Sequence, residues 1–183
     1  AIKRGTGDSK DGVTFEQVTY EGYAPHCVAV MIECMTENRN RTVAEVRHIL
    51  SRSGGSLGES GSVAWQFTRQ AYFSIPSKGN DFDRIFEIAL DGGADDVADD
   101  GESIEIIAPV DKFKILSDKL RDAKVVIEDG TLRMAPNQEM DLSVDNTLQV
   151  MKALDALEEL DDVQNVYSNL NISEEALAAL EEE

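Results

Sequence analysis

Basic side chains cluster in one short part of this sequence, residues 36–58, which reads TENRNRTVAEVRHILSRSGGSLG. Arginine guanidinium groups donate paired hydrogen bonds that fit the oxygens of a phosphate group. The candidate phosphate-binding residues of this basic segment are Arg39, Asn40, Arg41, Arg47, His48 and Arg52. Their types and spacing make contact with nucleic-acid phosphates the first chemistry to consider.

A solvated helix surface is the competing interpretation of the same residues. Apolar residues within 41–53 recur at helical spacing, and Arg41, Glu45, His48 and Arg52 share a stripe on the opposite side of that helix. Ion pairs between residues four apart, such as Arg41 with Glu45, add only about 0.3 kcal/mol at an exposed helix surface. The spacing alone leaves both interpretations open.

A glycine loop follows the basic segment and contains Gly54, Gly55, Gly58 and Gly61 in the string SGGSLGESGSV. The loop lacks the Gly-Lys-Ser/Thr ending of a nucleotide-binding P-loop, so nucleotide hydrolysis is not expected. Its glycines either permit turns with positive φ or allow a nucleic-acid backbone to approach closely. The sequence does not separate these two roles.

The remaining reactive side chains do not form a catalytic pattern. His26 belongs to a turn and His48 to a polar helix face, and neither supports a Ser-His-Asp or Cys-His arrangement. Cys27 and Cys34 lie in one strand-like run at an odd spacing, which predicts two buried thiols on opposite faces that cannot pair. We therefore predict no enzyme activity, no metal, no cofactor and no small-molecule substrate.

Two aromatic residues on the C-terminal side of the basic segment, Trp65 and Tyr72, are predicted to fill hydrophobic cores rather than to stack on bases.

Charge is distributed unevenly along the 183 residues, whose formal net charge is −19. Residues 39–70 carry five basic and two acidic side chains, residues 71–140 carry eight and sixteen, and residues 141–183 carry one and twelve. Because acidic surfaces repel a polyanion, the basic segment would decide which side of the molecule approaches one. No apolar run reaches the roughly 18 residues of a membrane span and the N-terminus lacks a signal sequence, so we expect a cytoplasmic protein, or one of an organellar matrix if its source is a eukaryote.

Strand and helix patterns alternate along the rest of the chain. Two strands joined by a turn at Gly22 and Pro25 precede the helix of residues 41–53, whose predicted apolar side comprises Val43, Val46, Ile49 and Leu50. Residues 71–140 follow the order βαββαβ, which predicts a ferredoxin-like domain. One further helix, with Leu148, Met151, Leu154 and Leu157 as its predicted apolar seam, and one further strand follow.

The last helix and strand lack partners unless they complete the first block. We therefore predict an α+β fold with two ferredoxin-like α/β domains, one inserted in the other. The predicted parts are a remnant of a preceding domain (1–13), an outer domain (14–70 with 141–170), an acidic inserted domain (71–140) and an acidic tail (171–183).

Four strings carry a family resemblance: AIKRGTG, YEGY, VAVMIECMTENRNRTVAEVRHILSRSGGSLGESGSVAWQF and ALDALEELDDVQNVYSN. Together they resemble the YebC/PmpR family, which includes a mitochondrial translational activator, from residue 1 to about residue 172. The resemblance implies a basic N-terminal helical domain, absent here, followed by two α/β domains of which the last is inserted in the second. It implies no enzyme activity.

The resemblance also implies roles for particular residues. The family's shared segment includes Arg39, Asn40, Arg41 and Arg47, and its glycine loop corresponds to Gly54, Gly55, Gly58 and Gly61. Lys3 and Arg4 in the remnant complete the candidate nucleic-acid contacts. The string YAPHC at residues 23–27 departs from the glycine-rich turn that the family more often has.

These observations predict a monomeric, non-enzymatic regulator of gene expression that associates with nucleic acid. Family members are labelled DNA-binding transcriptional regulators, or act on the ribosome to relieve stalling at proline-rich stretches, so DNA, ribosomal RNA and ribosomal proteins are all expected partners. The alternative is a protein-interaction module whose acidic inserted domain docks on a basic ribosomal or transcription protein.

Overall fold

The computed structural model describes residues 14–182, and the candidates Lys3 and Arg4 lie outside these described residues. Eight strands follow one another along the described chain: β1 (Glu16–Ala24), β2 (Val28–Thr36), β3 (Ser56–Leu57), β4 (Phe67–Pro76), β5 (Asp96–Asp99), β6 (Ser103–Pro109), β7 (Asp129–Pro136) and β8 (Val163–Ser168). Its five α-helices are α1 (Arg39–Ser53), α2 (Phe82–Asp91), α3 (Phe113–Asp122), α4 (Val144–Glu158) and α5 (Glu174–Glu181).

Contacts divide the chain into two compact units. Among the described residues, unit 1 combines residues 14–67 with residues 136–182, and unit 2 comprises Thr68–Ala135. Each unit contains one four-stranded antiparallel sheet together with helices. The predicted α+β class is confirmed.

The sheet of unit 1 has the strand order β3-β1-β2-β8. β1 and β2 form a long antiparallel hairpin, paired from Glu16 with Thr36 to Ala24 with Val28. Helices α1 and α4 contribute to a core of ten buried residues: Ala24, Val28, Val30, Ile32, Cys34, Val46, Leu50, Val150, Leu157 and Leu170. β2 is buried throughout Val28–Ile32, which matches its unbroken apolar sequence.

Helix α1 begins and ends at clear sequence signals. The Asn38 side chain caps its start by accepting a hydrogen bond from the backbone N–H of Arg41 at 3.1 Å. Gly54 ends it in the left-handed conformation with φ of 97°. The helix therefore starts at Arg39, two residues before the predicted start.

The apolar side of α1 is the predicted one only in part, at Val46 and Leu50. Its fully buried residues are Thr42, Val46 and Leu50, whereas Val43 and Ile49 are only partly buried. Thr42 can be buried because its hydroxyl has hydrogen-bond partners, which a sequence pattern of apolar residues does not show.

The predicted apolar seam of α4 is shifted by one position at three of its four residues. The fully buried residues of α4 are Thr147, Val150, Ala153 and Leu157. Leu148, Met151 and Leu154 are half-buried beside that line. Smaller side chains at 147, 150 and 153 permit close approach to the core, so reading the largest residues as the seam was wrong.

In unit 2 the strand order is β5-β6-β4-β7, and β6 pairs antiparallel with both β4 and β5. Every second residue of β6 is buried, as expected for a sheet with one face against helices α2 and α3. Phe73 on β4 stacks on Phe113 at the start of α3, with ring centroids 5.0 Å apart. Within residues 14–182, no helix has the length and apolar character needed to span a membrane.

Three predictions about buried side chains differ from the structure. Trp65 is 70% exposed, because residues Ala64–Gln66 form a short 3₁₀ turn before β4 instead of continuing a strand. Cys27 is exposed because it lies in the turn Pro25–Cys27, ahead of β2, whereas Cys34 is buried as predicted. Tyr72 is only half-buried, and its hydroxyl donates a hydrogen bond of 2.6 Å to Glu105 Oε1.

Candidate nucleic-acid interface

The exposed side of α1 carries three positively charged or titratable side chains that have no acidic partner. Arg47, His48 and Arg52 are exposed and form neither an ion pair nor a side-chain hydrogen bond with any residue that the structure describes. Arg47 and Arg52 are five residues apart, which on a helix is about 140° around the axis and about 7.5 Å along it. Their guanidinium groups therefore diverge, with His48 between them, and we call these three residues the open basic face.

Arg39 and Arg41 at the start of the same helix are paired with carboxylates. Arg41 Nη2 donates to both oxygens of Asp162, at 3.1 and 3.0 Å, and its Nη1 lies 3.7 Å from Glu37 Oε1. Arg39 Nε lies 3.7 Å from Glu16 Oε1. The structure thus separates the predicted arginines into a paired group and an unpaired group.

Asn40, also predicted as a nucleic-acid contact, is exposed in the first turn of α1. The residue that caps the helix is its neighbour Asn38.

Asp162, the main partner of Arg41, lies 121 residues further along the chain. It is 8% exposed and accepts a hydrogen bond of 2.7 Å from Thr42 Oγ1, in addition to those from Arg41. Burial raises the pKa of this carboxyl, but the hydrogen bonds from Thr42 and Arg41 and the charge of Arg41 outweigh burial, so the pKa of Asp162 lies below its ordinary value. The backbone of Asp162 also accepts from the N–H of Met35 at 2.8 Å, which joins β2, α1 and the start of β8.

The surroundings of Arg41 are acidic. Arg41 lies in a cleft of about 470 Å³ whose other lining residues are Glu37, Glu45, Glu159, Leu160, Asp161 and Asp162. Five carboxylates around one guanidinium leave this cleft negative, so it repels a phosphate group. The geometry at Arg41 therefore favours a structural role for this residue. Phosphate contact remains possible at the open basic face.

The glycine loop is held from inside by Glu21 on β1. The Glu21 carboxylate is 6% exposed and accepts three backbone hydrogen bonds, from Gly61 at 2.7 Å, Val63 at 3.0 Å and Ala64 at 2.7 Å. Its backbone carbonyl accepts a fourth, from Gly58 N–H at 2.8 Å. These loop donors are engaged within unit 1 and are not directed at a ligand.

At two positions of the loop, the backbone geometry explains why the residue is glycine. A Cβ at Gly55 would overlap the carbonyl oxygen of Tyr23, so the loop can run this close to β1 only without a side chain there. Gly54 adopts the positive φ that ends α1. Sequence reasoning left the turn-forming role open, and the backbone geometry supplies a reason for it.

The remaining candidate chemistry is limited. Burial, and after it the charge of Asp162, raises the pKa of Cys34 to about 11, so this thiol stays protonated at neutral pH and is a poor nucleophile. His26 Nε2 lies 2.8 Å from Gln149 Oε1 and is tied to α4. Among residues 14–182, no three His, Cys, Asp or Glu side chains converge as a metal site would require.

Glu21 and Asp162 are the two organising residues that the sequence interpretation missed. The sequence signal for Glu21 was a carboxylate beside Gly22 in a strand, together with a later glycine-rich loop whose backbone N–H groups need acceptors. Asp162 gave no local signal, because its partners are contributed by β2 and α1.

The fold and this site define an acidic protein of two α+β units with one helix whose outer side is basic. The model of the second and third domains of the TACO1/YebC family matches residues 15–170. The chain belongs to the TACO1/YebC family, and the resemblance noted from the sequence is confirmed.

Relatives in several bacteria share this similarity over all or nearly all of the chain. A probable transcriptional regulatory protein of Chlorobaculum tepidum is 44% identical over 184 residues, covering 100% of this chain and 73% of the relative. One of Nitrosococcus oceani is 46% identical over 181 residues, covering 98% and 72%. A crystal structure of a conserved hypothetical protein from Aquifex aeolicus matches with a TM-score of 0.83 at 39% identity, covering 92% of this chain and 70% of that one.

Proposed function

We propose that this protein is a non-enzymatic regulator of gene expression that associates with nucleic acid through the open basic face of α1. The observation that carries the proposal is that Arg47, His48 and Arg52 are exposed and have no carboxylate partner among residues 14–182, in a chain of net charge −19. The names of the relatives, probable transcriptional regulatory proteins, support the same class.

The proposed contact is with phosphates rather than with base edges. Helix α1 packs its other side against the sheet of unit 1, and its exposed side offers two divergent guanidinium groups that can each hold one phosphate. The acidic remainder of the chain repels the polyanion and orients it toward this face. Duplex DNA and ribosomal RNA both present such phosphates, and ribosomal proteins would be further partners on a ribosome.

In this proposal the protein acts as a monomer, in the cytoplasm or in an organellar matrix. We further propose that unit 2 is a ferredoxin-like domain inserted into unit 1. Support comes from its element order β4-α2-β5-β6-α3-β7 and its strand order β5-β6-β4-β7, and from unit 1 being formed by chain on both sides of it.

The experiment compares a double variant of the open basic face with a matched control. Arg47→Gln/Arg52→Gln removes two charges from α1, and Lys78→Gln/Lys152→Gln removes two exposed charges elsewhere. Each protein is titrated against labelled duplex DNA and co-sedimented with ribosomes between 50 and 200 mM salt, concentrations chosen because phosphate contacts weaken strongly across this range. Each lost phosphate contact should make the slope of log K against log salt about 0.9 less steep.

We expect the α1 variant to lose affinity and about 1.8 units of slope for the physiological target, while the control retains the parent's slope. Loss on ribosomes alone would identify a translation factor, and loss on DNA alone a transcriptional regulator. If the α1 variant binds both targets as the parent does, the open basic face is not the contact and the proposal fails.

The acidic surface of unit 2 supports a second candidate function, docking on a basic ribosomal or transcription protein. Its edge strand β5 and the flanking residues expose Asp95, Asp96, Asp99 and Asp100. Capture of a purified basic ribosomal protein after nuclease treatment, abolished by Asp95→Lys and unaffected by Arg47→Gln/Arg52→Gln, would favour this function over the first.

A further inference from the structure

Four strands form the edges of the two sheets, and three of them are protected against pairing with another chain. β3 has only two residues, β5 begins and ends with an aspartate, and β7 contains Asp129 and Arg133 and ends at Pro136. Short length, charge and proline are the usual means by which proteins protect sheet edges. β8, with the sequence VQNVYS, is six residues long and has none of them.

The backbone of β8 has hydrogen-bonding groups that face away from its sheet. Beyond the end of β8, the N–H of Asn169 donates to the carbonyl of Ala29 at 3.2 Å. Because alternate residues of an antiparallel strand bond to the same neighbour, Tyr167 also faces β2, and the backbone groups of Val166 face outward. In the pairing of β2 with β8, Asn165 lies opposite Glu33 and Val163 lies opposite Cys34, so Gln164 between them has no partner residue on β2.

Pairing along this edge begins only after β8 ends. The N–H of Met140 donates to the carbonyl of Asn169 at 2.6 Å, and the N–H of Asn171 donates to the carbonyl of Met140 at 2.9 Å. Next to β8 itself there is a groove of about 380 Å³, lined by Glu158, Val163, Gln164, Asn165 and Val166. Among the described residues of unit 1, no strand occupies this edge.

The charges around the groove indicate what could occupy it. Glu158 lines it, Glu159 and Asp161 are exposed in the turn that leads into β8, and Glu33 on β2 accepts a hydrogen bond from Asn165. Residues 141–183 contain a single basic side chain, Lys152. A second copy of this chain would bring the same acidic residues against each other, whereas a basic segment would be attracted.

We propose that β8 is a docking edge for an extended, basic peptide segment of a partner protein, which adds to the sheet of unit 1 as a fifth strand. Backbone hydrogen bonds to the outward groups of β8 would supply affinity, and alternate side chains would supply specificity. Lysine or arginine at every second position of the segment would face Glu158 and Asp161. This docking edge is independent of the open basic face on α1.

The test uses a fluorescein-labelled peptide of four Lys-Val repeats and the same peptide with every backbone amide methylated. The methylated peptide keeps all charges and side chains but cannot donate backbone hydrogen bonds. Binding to the whole chain is followed by fluorescence anisotropy, and the affected residues by amide chemical shifts. We expect binding of the first peptide with shifts centred on residues 163–168, and at least about tenfold weaker binding of the second.

Variants of the exposed residue Gln164 test the same edge from the protein side. Gln164→Pro places a residue that disfavours strand pairing in this edge and should weaken binding about tenfold, while Gln164→Ala, which keeps an ordinary backbone, should leave it within about twofold. Gln164→Lys should weaken binding and Gln164→Glu strengthen it, so the test survives if the proline variant folds poorly. Arg47→Gln/Arg52→Gln should leave peptide binding unchanged, which separates this proposal from the nucleic-acid proposal.

Two results would overturn the proposal. Equal binding of the methylated peptide would mean that the attraction is only electrostatic and no strand is added. Self-association of the parent chain that Gln164→Pro abolishes, measured by sedimentation equilibrium, would mean that β8 pairs with a second copy instead of a basic partner.

Discussion

Replacing Glu21 with glutamine removes one charge from the inside of unit 1 and leaves the shape of the side chain nearly unchanged. In the structure one carboxylate oxygen accepts from Val63 and Ala64, and the other accepts from Gly61. Glutamine can keep one oxygen for the first pair, but its NH₂ group then faces the N–H of Gly61. One hydrogen bond is lost and two change from charge-assisted to neutral.

The expected cost follows from these three bonds. A hydrogen bond to a charged group contributes about 1.5–3 kcal/mol, roughly twice a neutral one, so the two bonds that become neutral together cost about 1.5–3 kcal/mol. The lost bond from Gly61 is part-buried and costs about 1 kcal/mol more. The sum predicts that Glu21→Gln lowers the free energy of unfolding by about 3 kcal/mol. For a chain of this size each kcal/mol corresponds to about 2–4 °C, so the melting temperature should fall by about 6–12 °C.

The assay combines urea unfolding, followed by circular dichroism, with hydrogen exchange of the backbone amides. Exchange of the Gly61, Val63 and Ala64 amides should accelerate more than that of β2, because the loop loses its anchor before the sheet opens. Glu33→Gln is the matched control: Glu33 is half-buried on the adjacent strand, accepts one hydrogen bond from Asn165, and should cost less than about 0.5 kcal/mol. Equal stability of the Glu21 and Glu33 variants, with unchanged exchange in the loop, would refute the anchoring role.

Three further substitutions test other parts of the same unit. Gly55→Ala should destabilise by about 3 kcal/mol in urea unfolding, because its Cβ would overlap the backbone of Tyr23. The pKa of Asp162 is lowered by folding, so this carboxylate stabilises the protein fully above its unfolded pKa of about 3.9, and the stabilisation is lost as the pH falls through the lower folded pKa. Asp162→Asn should therefore reduce the steepness with which the free energy of unfolding falls below about pH 4 in acid titrations. Trp65→Gln should cost less than about 1 kcal/mol by the same unfolding measurement, since the ring is 70% exposed; a cost of 3 kcal/mol or more would mean that the ring is buried in solution.

The local elements of this protein could be predicted because their signals lie close together in the sequence. The apolar spacing in 41–53 and the glycine pair after it were enough to predict α1, although the capping role of Asn38 moved its start to Arg39. The alternation of strand and helix patterns was enough for the α+β class. Each of these signals depends only on residues that are neighbours in the sequence, so it can be recognised without knowing which distant segments are in contact.

The environments of the functional candidates could not be predicted in the same way. Nothing near Arg41 indicates that Asp162, 121 residues later, neutralises it. Trp65 was predicted to fill a core, but it lies in a short turn before β4 and is 70% exposed. Burial and pairing depend on contacts between distant segments, which residue spacing does not record.

The pairing of each arginine on α1 determines what a phosphate must displace to reach it. At Arg41 a phosphate would have to replace Asp162. Arg41 would gain one ion pair and lose a similar one, and the buried Asp162 carboxylate would be left without its partner, which is strongly unfavourable. At Arg47 and Arg52 a phosphate would replace only water. The energetic difference therefore shifts any nucleic-acid contact from the start of α1, where the arginines are densest in the sequence, to its middle and last turn.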